Sequence, residues 1–367
     1  MLEKKALIAI GLAAIIIAAA GVWFMAGHED SEETEGKTVT DMLGREVAVP
    51  ENVDKIVCLS AGTVRLACYL GVYDRIVGID SYDAGSKGMP ANYEMATYRI
   101  AYDIRSIANV GAEDNYRDII ETGADVIFTS TTDSSIANVL QSNTSIPVVA
   151  VTAAGNIDLD DEKFDSNIEL MSEVLGVDQR AKQLIEGKNA LLSELDGLRK
   201  ASDSDKRCYI GGMFYFMQGG FLRTTGNYAP LDYAGGTNVM KDVNGGNPYD
   251  TSPKEIAESG AEYMFIDVMT YSQSKSAFAE NKEILQDVPA VKEGNIYATM
   301  VYKYYGTNWE SELINAYYIG SILDPATFDF DLKQKVDSVL DLFFPDSDID
   351  YEKLVHCQSH SFEKQSW

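Results

Sequence analysis

Residues 178–201, DQRAKQLIEGKNALLSELDGLRKA, are the stretch that most restricts how this chain can fold. The apolar residues Ala181, Leu184, Leu191, Leu195 and Leu198 recur at steps of mostly three, four or seven, which draws one stripe along a helix. Asp178 suits the N-cap, and Arg199 and Lys200 suit the end, where the helix dipole is negative. At about 1.5 Å per residue the rod is roughly 36 Å long, more than most helices of globular domains. A similar short pattern stands on each side of it. RDIIETGADVIFTS (117–130) and KEIAESGAEYMFID (254–267) share Ile119/Ile256, Glu121/Glu258, Gly123/Gly260, Ala124/Ala261 and Phe128/Phe265. Each copy reads as a short helix, a glycine cap and a buried strand. A repeated helix–strand unit on both sides of one long helix predicts two similar α/β lobes joined by a stiff link.

The chain has 367 residues, enough for two lobes with real cores. Its formal net charge of −27 argues against nucleic acid, which requires basic stripes. Residues 1–26 read as an N-terminal membrane anchor. Lys4 and Lys5 precede an uncharged apolar run from Ala6 to Ala26, long enough to span a bilayer, and Glu29, Asp30, Glu32 and Glu33 follow it. That charge order leaves the bulk of the protein extracytoplasmic. A cleaved signal with its site at Ala18–Ala20 is the competing reading. Residues 27–37 form an acidic tether. Cys58, Cys68, Cys208 and Cys357 make no C-x-x-C and read as separate thiols.

From residue 38 the pattern alternates. A hairpin with Gly44 in its turn precedes KIVCLS, a helix closed by Gly71, and DRIVGID. A polar and aromatic loop (81–109) follows, and then DVIFTS, a helix and PVVAV. The expected division is 38–162 for an N-terminal α/β lobe and 163–202 for connecting helices that include the long one. A C-terminal α/β lobe (203–344) and an extension of little apolar content (345–367) complete it. Strands alternating with helices mean mostly parallel sheets, with ligand beyond the carboxyl ends of the strands. In the first lobe those ends are Ser60–Thr63, Ser81–Tyr82 and Ser130–Asp133.

The order and spacing of several segments carry a resemblance over about Thr38 to Phe344. They are DMLGREVAVP followed by KIVCLSAGTVRLACYLGVYDRIVGID, then GADVIF, LDYAGGTNVMKDV, VPAVKEGNIYAT and NAYYIGSILDPATF. The chain resembles the substrate-binding proteins of ABC importers for ferric siderophores, cobalamin and related metal compounds. That resemblance implies two α/β lobes on one long helix and a ligand cleft between them. It also implies permease and ATPase subunits as partners, no catalytic residues and no intrinsic cofactor. Family members commonly carry a permease-contacting Glu in a pattern like L-S-x-x-x-x-E-L. Here Arg65 stands at that position, so a reversed or displaced contact is expected, with Asp74 or Asp80 as candidate acids.

The ligand is left open by the resemblance, and an iron complex of siderophore type is the expectation from this chain's own residues. The alternatives are a corrinoid, haem, molybdate or tungstate, or a surface metal sensor without transport. Candidate ligand residues at the first-lobe strand ends are Ser60, Thr63, Tyr82 and Thr131. Three aromatic segments supply the others: Tyr98 and Arg99; Met213, Tyr215, Phe216 and Arg223; and Tyr302, Tyr304, Tyr305, Asn308, Trp309 and Glu310. Aromatic walls with a few charges suit a large flat ligand. Helix N-termini together with Arg99 and Arg223 would favour an anionic chelate. A bare ferric ion would use oxygen ligands such as Tyr304, Tyr305 and Glu310. His356, Cys357 and His360 could pair on a metal, but sit in what reads as an exposed tail. Nucleophile-elbow, P-loop and zinc-protease signatures are absent.

Overall fold

The computed structural model describes residues 36–85, 93–152, 157–214, 218–241, 243 and 246–367. The expected anchor, and Tyr215 and Phe216 of the expected site, lie outside the described residues. Among the described residues no helix is long and apolar enough to cross a membrane.

A hairpin of β1 (Gly36–Thr40) and β2 (Glu46–Pro50) opens the first lobe, with Gly44 at φ +74° in its turn. The Asp41 carboxylate accepts the amides of Leu43 and Arg45, which fixes that turn. Five parallel strands follow: β3 (Ile56–Leu59), β4 (Ile76–Asp80), β5 (Ala108–Gly111), β6 (Val126–Thr129) and β7 (Val148–Ala150). Their order is β5-β4-β3-β6-β7. Both β3 and β6 are buried along their whole length, as a sheet covered on both faces requires. The helices of this lobe are α1 (Thr63–Tyr69), α2 (Thr97–Ala101), α3 (Tyr116–Glu121) and α4 (Ser134–Thr144). α2 and the first two residues of β5 fall within the segment read from sequence as a loop.

α5 (Glu162–Leu175) leads into α6 (Asp178–Ala201), the expected rod, with Ala181, Leu184 and Leu195 buried. Asp178 lies in its first turn; Val177 stands at the cap position. The second lobe holds a parallel sheet of β8 (Arg207–Gly211), β10 (Thr237–Asn238), β12 (Tyr263–Asp267) and β13 (Ile296–Thr299), in the order β10-β8-β12-β13. β9 (Arg223–Thr224) and β11 (Tyr249–Asp250) form a short antiparallel ribbon beside it. The main helices here are α7 (Ala229–Ala234), α8 (Pro253–Glu258), α9 (Tyr271–Glu280), α10 (Lys282–Leu285), α11 (Pro289–Lys292), α12 (Trp309–Leu323), α13 (Leu332–Phe343) and α14 (Tyr351–Cys357).

The repeated sequence pattern is a repeated structure. α3 leads through Gly123 (φ +65°) into β6, and α8 leads through Gly260 (φ +67°) into β12. In each parallel sheet that strand pairs with the sheet's first strand in the chain, β6 with β3 and β12 with β8. Glycine is needed at both turns because left-handed backbone strains a residue with a Cβ.

The largest hydrophobic core crosses from one lobe to the other. It joins Tyr69, Phe164 and Leu184 to Trp309, Leu313 and Phe343. Shared apolar burial therefore links the lobes in addition to the rod. Cys58, Cys68, Cys208 and Cys357 are all free. The 345–367 segment departs from expectation. It folds as α14 and then pairs with β13 through Phe362 N to Ala298 O (2.9 Å), Ala298 N to Glu363 O (2.9 Å) and Gln365 N to Ile296 O (2.7 Å).

Candidate functional site

The carboxyl ends of β3, β4 and β6 meet a loop from the second lobe, residues 301–308. Asp80 ends β4 and is the hub of this junction. Its Oδ1 accepts the amides of Tyr82 (2.8 Å) and Asp83 (3.0 Å). Its Oδ2 accepts the Ser60 amide (2.8 Å) and the Tyr305 hydroxyl (2.8 Å), the latter from the opposite lobe. Tyr82 stacks on Tyr305 with ring centroids 4.9 Å apart and planes inclined by 15°. Tyr82 remains 51% exposed, so its ring is open to a ligand. Tyr305 is in left-handed backbone at φ +46° and Gly306 follows at φ +100°. A bulky residue holds that conformation only where its surroundings fix it; here the Asp80 bond and the Tyr82 stack do so.

Beside the stack, Ser60 Oγ donates to Glu113 Oε1 (2.7 Å), and the Thr129 hydroxyl donates to the same oxygen. A depression of about 430 Å³ opens next to Glu113, lined also by Tyr116, Ser135, Ile136 and Val139. Thr131, half-buried, accepts the Asp133 amide (3.2 Å).

A second polar group lies where residues 157–161 pass the second lobe. Tyr302 OH donates to Asp158 Oδ1 (3.3 Å), and Glu312 Oε2 accepts the Leu159 amide (2.8 Å). Glu312 is fully buried and its Oε1 has no hydrogen-bond partner. Burial, and then the nearby Asp158, push its carboxyl well above the usual range. Burial likewise raises Asp158, while Lys303, drawn toward both acids, is lowered by its own burial. Asp232 is pushed up to about 6 by desolvation, and then by Asp158 and Asp160. This group of acids therefore favours its protonated forms, and a positive charge brought beside it would favour ionisation.

Several expected ligand residues are structural. Thr63 is buried, and its hydroxyl turns back to the carbonyls of Leu59 and Ser60 (3.0 Å each). Tyr98 is buried against Asp83 (2.7 Å). Met213, Tyr302, Tyr304 and Asn308 are all 2% exposed or less. Trp309 is fully buried among Tyr69 and Phe164, with Nε1 donating to Ile157 O (3.1 Å). Glu310, also fully buried, takes the Tyr69 hydroxyl, so it does not offer a carboxylate to a metal in the cleft. Among the described residues no group of three or more His, Cys, Asp and Glu side chains is placed to hold a metal ion.

The expected positive charges are committed as well. Arg99 pairs with Asp83 (3.5 Å) and donates to Tyr82 O (2.7 Å), and Arg223 pairs with Asp250 (2.8 Å). At the start of α4 the Asp133 carboxylate accepts the Ser135 amide (2.8 Å), placing negative charge where an anion would dock. α1 has Gly62 at its N-cap position, has no side-chain cap and is buried throughout. Arg65 is 1% exposed, donates to Tyr304 O (2.7 Å) and lies 4.6 Å from the Tyr98 ring centroid. It therefore braces the 301–308 loop and offers nothing to an outside partner. Asp80 is spent on internal bonds, which leaves Asp74, exposed, of the two acids considered for docking. Asp80, Glu113, Asp158 and Glu312 had no distinguishing mark as ligand residues among 57 acidic ones; only Asp80, closing a buried strand, had a positional signal.

Residues 56–300 match the model of the periplasmic binding protein family. Solved structures share the fold. A periplasmic solute binding protein of Veillonella parvula has a TM-score of 0.68 at 18% identity, over 88% of this chain and 96% of its own. The molybdate periplasmic binding protein MolA of Haemophilus influenzae has 0.64 at 21%, over 86% and 99%. A protein of an ABC-type Fe3+-hydroxamate transport system of Saccharomonospora viridis has 0.51 at 17%, over 78% and 99%. Among curated protein sequences none matches. With the family model spanning two thirds of the chain and both parallel sheets, the chain belongs to the periplasmic binding proteins, the extracytoplasmic substrate-binding components of ABC importers.

Proposed function

We propose that this protein captures a ferric chelate of siderophore type, neutral or cationic overall, and delivers it to an ABC permease with its ATPase subunits. The observation that carries this reading is the Tyr82–Tyr305 stack, an aromatic platform that belongs to both lobes and stands on Asp80. A ring face open to solvent suits a large, flat or greasy ligand better than a small oxyanion, which needs convergent donors. The carboxylates of Asp80 and Glu113 beside it, and the prior pairing of Arg99 and Arg223, favour a complex whose ligand oxygens have already neutralised the iron. The Fe3+-hydroxamate transport protein of similar fold is in keeping with this, because three hydroxamate groups cancel the charge of one ferric ion. Closure on the ligand would be a small pivot, since the lobes share a core.

Thermal unfolding of the protein against ferric hydroxamates, ferric catecholates, haem, corrinoids, free ferric ion and molybdate tests the reading. A ligand present at 100 times its Kd stabilises by about 2.7 kcal/mol. The expected result is a shift with a ferric hydroxamate and none with free ferric ion. A shift confined to molybdate or a corrinoid would overturn the iron assignment and leave the family intact. Tyr82→Ala should weaken the responding ligand roughly 3- to 10-fold, the worth of one aromatic contact, with unfolding unchanged because Tyr82 is half exposed.

A further inference from the structure

Residues 351–367 reach both lobes, and one buried side chain makes the connection. Gln358, in the middle of the HCQSH sequence and at the C-cap of α14, is fully buried while His356 and Cys357 just before it are exposed. Its Nε2 donates to Met95 O of the first lobe (2.7 Å), and its Oε1 accepts the Val301 amide (2.8 Å) at the start of the second-lobe cleft loop. The loop's first peptide groups have no strand partner beyond the end of β13 and are held by side chains instead. Asn315 bonds both polar groups of Met300 (3.1 Å each), Asp267 accepts the Tyr302 amide (2.8 Å), and Asn308 donates to Val301 O (3.3 Å). Of these holders, Gln358 alone is also bonded to the first lobe.

Beyond Gln358 the segment is fastened along its length. It pairs with β13, His360 stacks on Tyr271 at 4.0 Å, and Trp367 packs on Phe278 at 5.5 Å. We propose that residues 351–367 are a strap across the two lobes, and that Gln358 is a positioning residue for the ligand site. By fixing Val301 relative to Met95 it sets where Tyr305, four residues further on, meets Tyr82 and Asp80. The strap rests on the ligand reading above only for its effect on affinity; its grip on the loop is independent of any ligand.

The experiment is therefore in two arms. In ligand-free protein, hydrogen exchange is followed at the amides of 301–308 and, as an internal control, of β6. Gln358→Ala should speed exchange in the loop at least tenfold and leave β6 unchanged. Gln358→Met, which restores the volume without the hydrogen bonds, should behave like the alanine variant. In the second arm both variants should bind the ligand that stabilises the wild type at least tenfold more weakly, with the loss in dissociation rate. If Gln358→Ala unfolds the protein, Trp367→Ala loosens the far end of the strap and should produce the same pattern at smaller amplitude. Unchanged loop exchange overturns the proposal, as does recovery in the methionine variant, which would make the role one of packing. Faster exchange with unaltered affinity overturns the role in binding. Absence of any responding ligand bears on the functional reading alone, and the exchange arm still decides the strap.

Discussion

Asp83 shows how burial at the edge of the cleft can be read as a pH dependence. Desolvation first, and then the neighbouring Asp80, raise its carboxyl to about 7, although Arg99 pulls the other way. In the unfolded chain the group titrates near 4. Below about pH 4 both states hold the proton and nothing is gained or lost. Between about 4 and 7 the folded state alone keeps it, so stability falls as pH rises through that window and levels off above it. Asp83→Asn keeps an oxygen for the Tyr98 hydroxyl and fills the position of Oδ2, which has no hydrogen-bond partner. The variant should exceed the wild type by on the order of 2–4 kcal/mol at pH 8 and be nearly equal to it at pH 4.5. Urea unfolding at the two pH values checks this; the same difference at both would mean that Asp83 does not titrate there.

At the scale of elements, the beginning of α12 separates packing from binding. YKYYGTNW has the composition of a ligand loop, yet Tyr305 alone of its aromatics reaches the stack while Trp309 enters the shared core. Trp309→Ala should destabilise by about 3–5 kcal/mol, as large core deletions do, with ligand affinity unchanged in the folded fraction. Denaturant unfolding and binding on the same sample distinguish the two effects. Further along α12, a Cβ on Gly320 would stand 2.3 Å from the Phe328 ring. Gly320→Ala should therefore cost about 1–3 kcal/mol by overpacking, outweighing the helix propensity it gains. A denaturation midpoint equal to or above that of the wild type would show that the ring has room to move.

For the whole molecule, attachment and architecture are separate questions. We propose from the 6–26 run and the acidic residues after it that residues 1–26 are a retained anchor. The native protein should stay with membranes after a high-salt wash, and its mass should include residues 1–26. A mature chain starting near Gly21 would replace the anchor by a cleaved signal.

Periodicity and local signals in the sequence determined the elements: the rod at 178–201 and the paired helix–glycine–strand units. These depend on spacing that a chain carries in itself. The α/β class and the parallel sheets followed from their alternation. Which of the expected site residues are buried or already paired was decided only by the tertiary structure, because burial and pairing are properties of neighbours distant in the chain. Arg99, Arg223, Glu310 and Trp309 have the chemistry of ligand contacts, but distant partners consume each of them. Gln358 looks ordinary in sequence and Asp80 is marked there only by its place at the end of a strand; they gain their roles from groups 263 and 225 residues away.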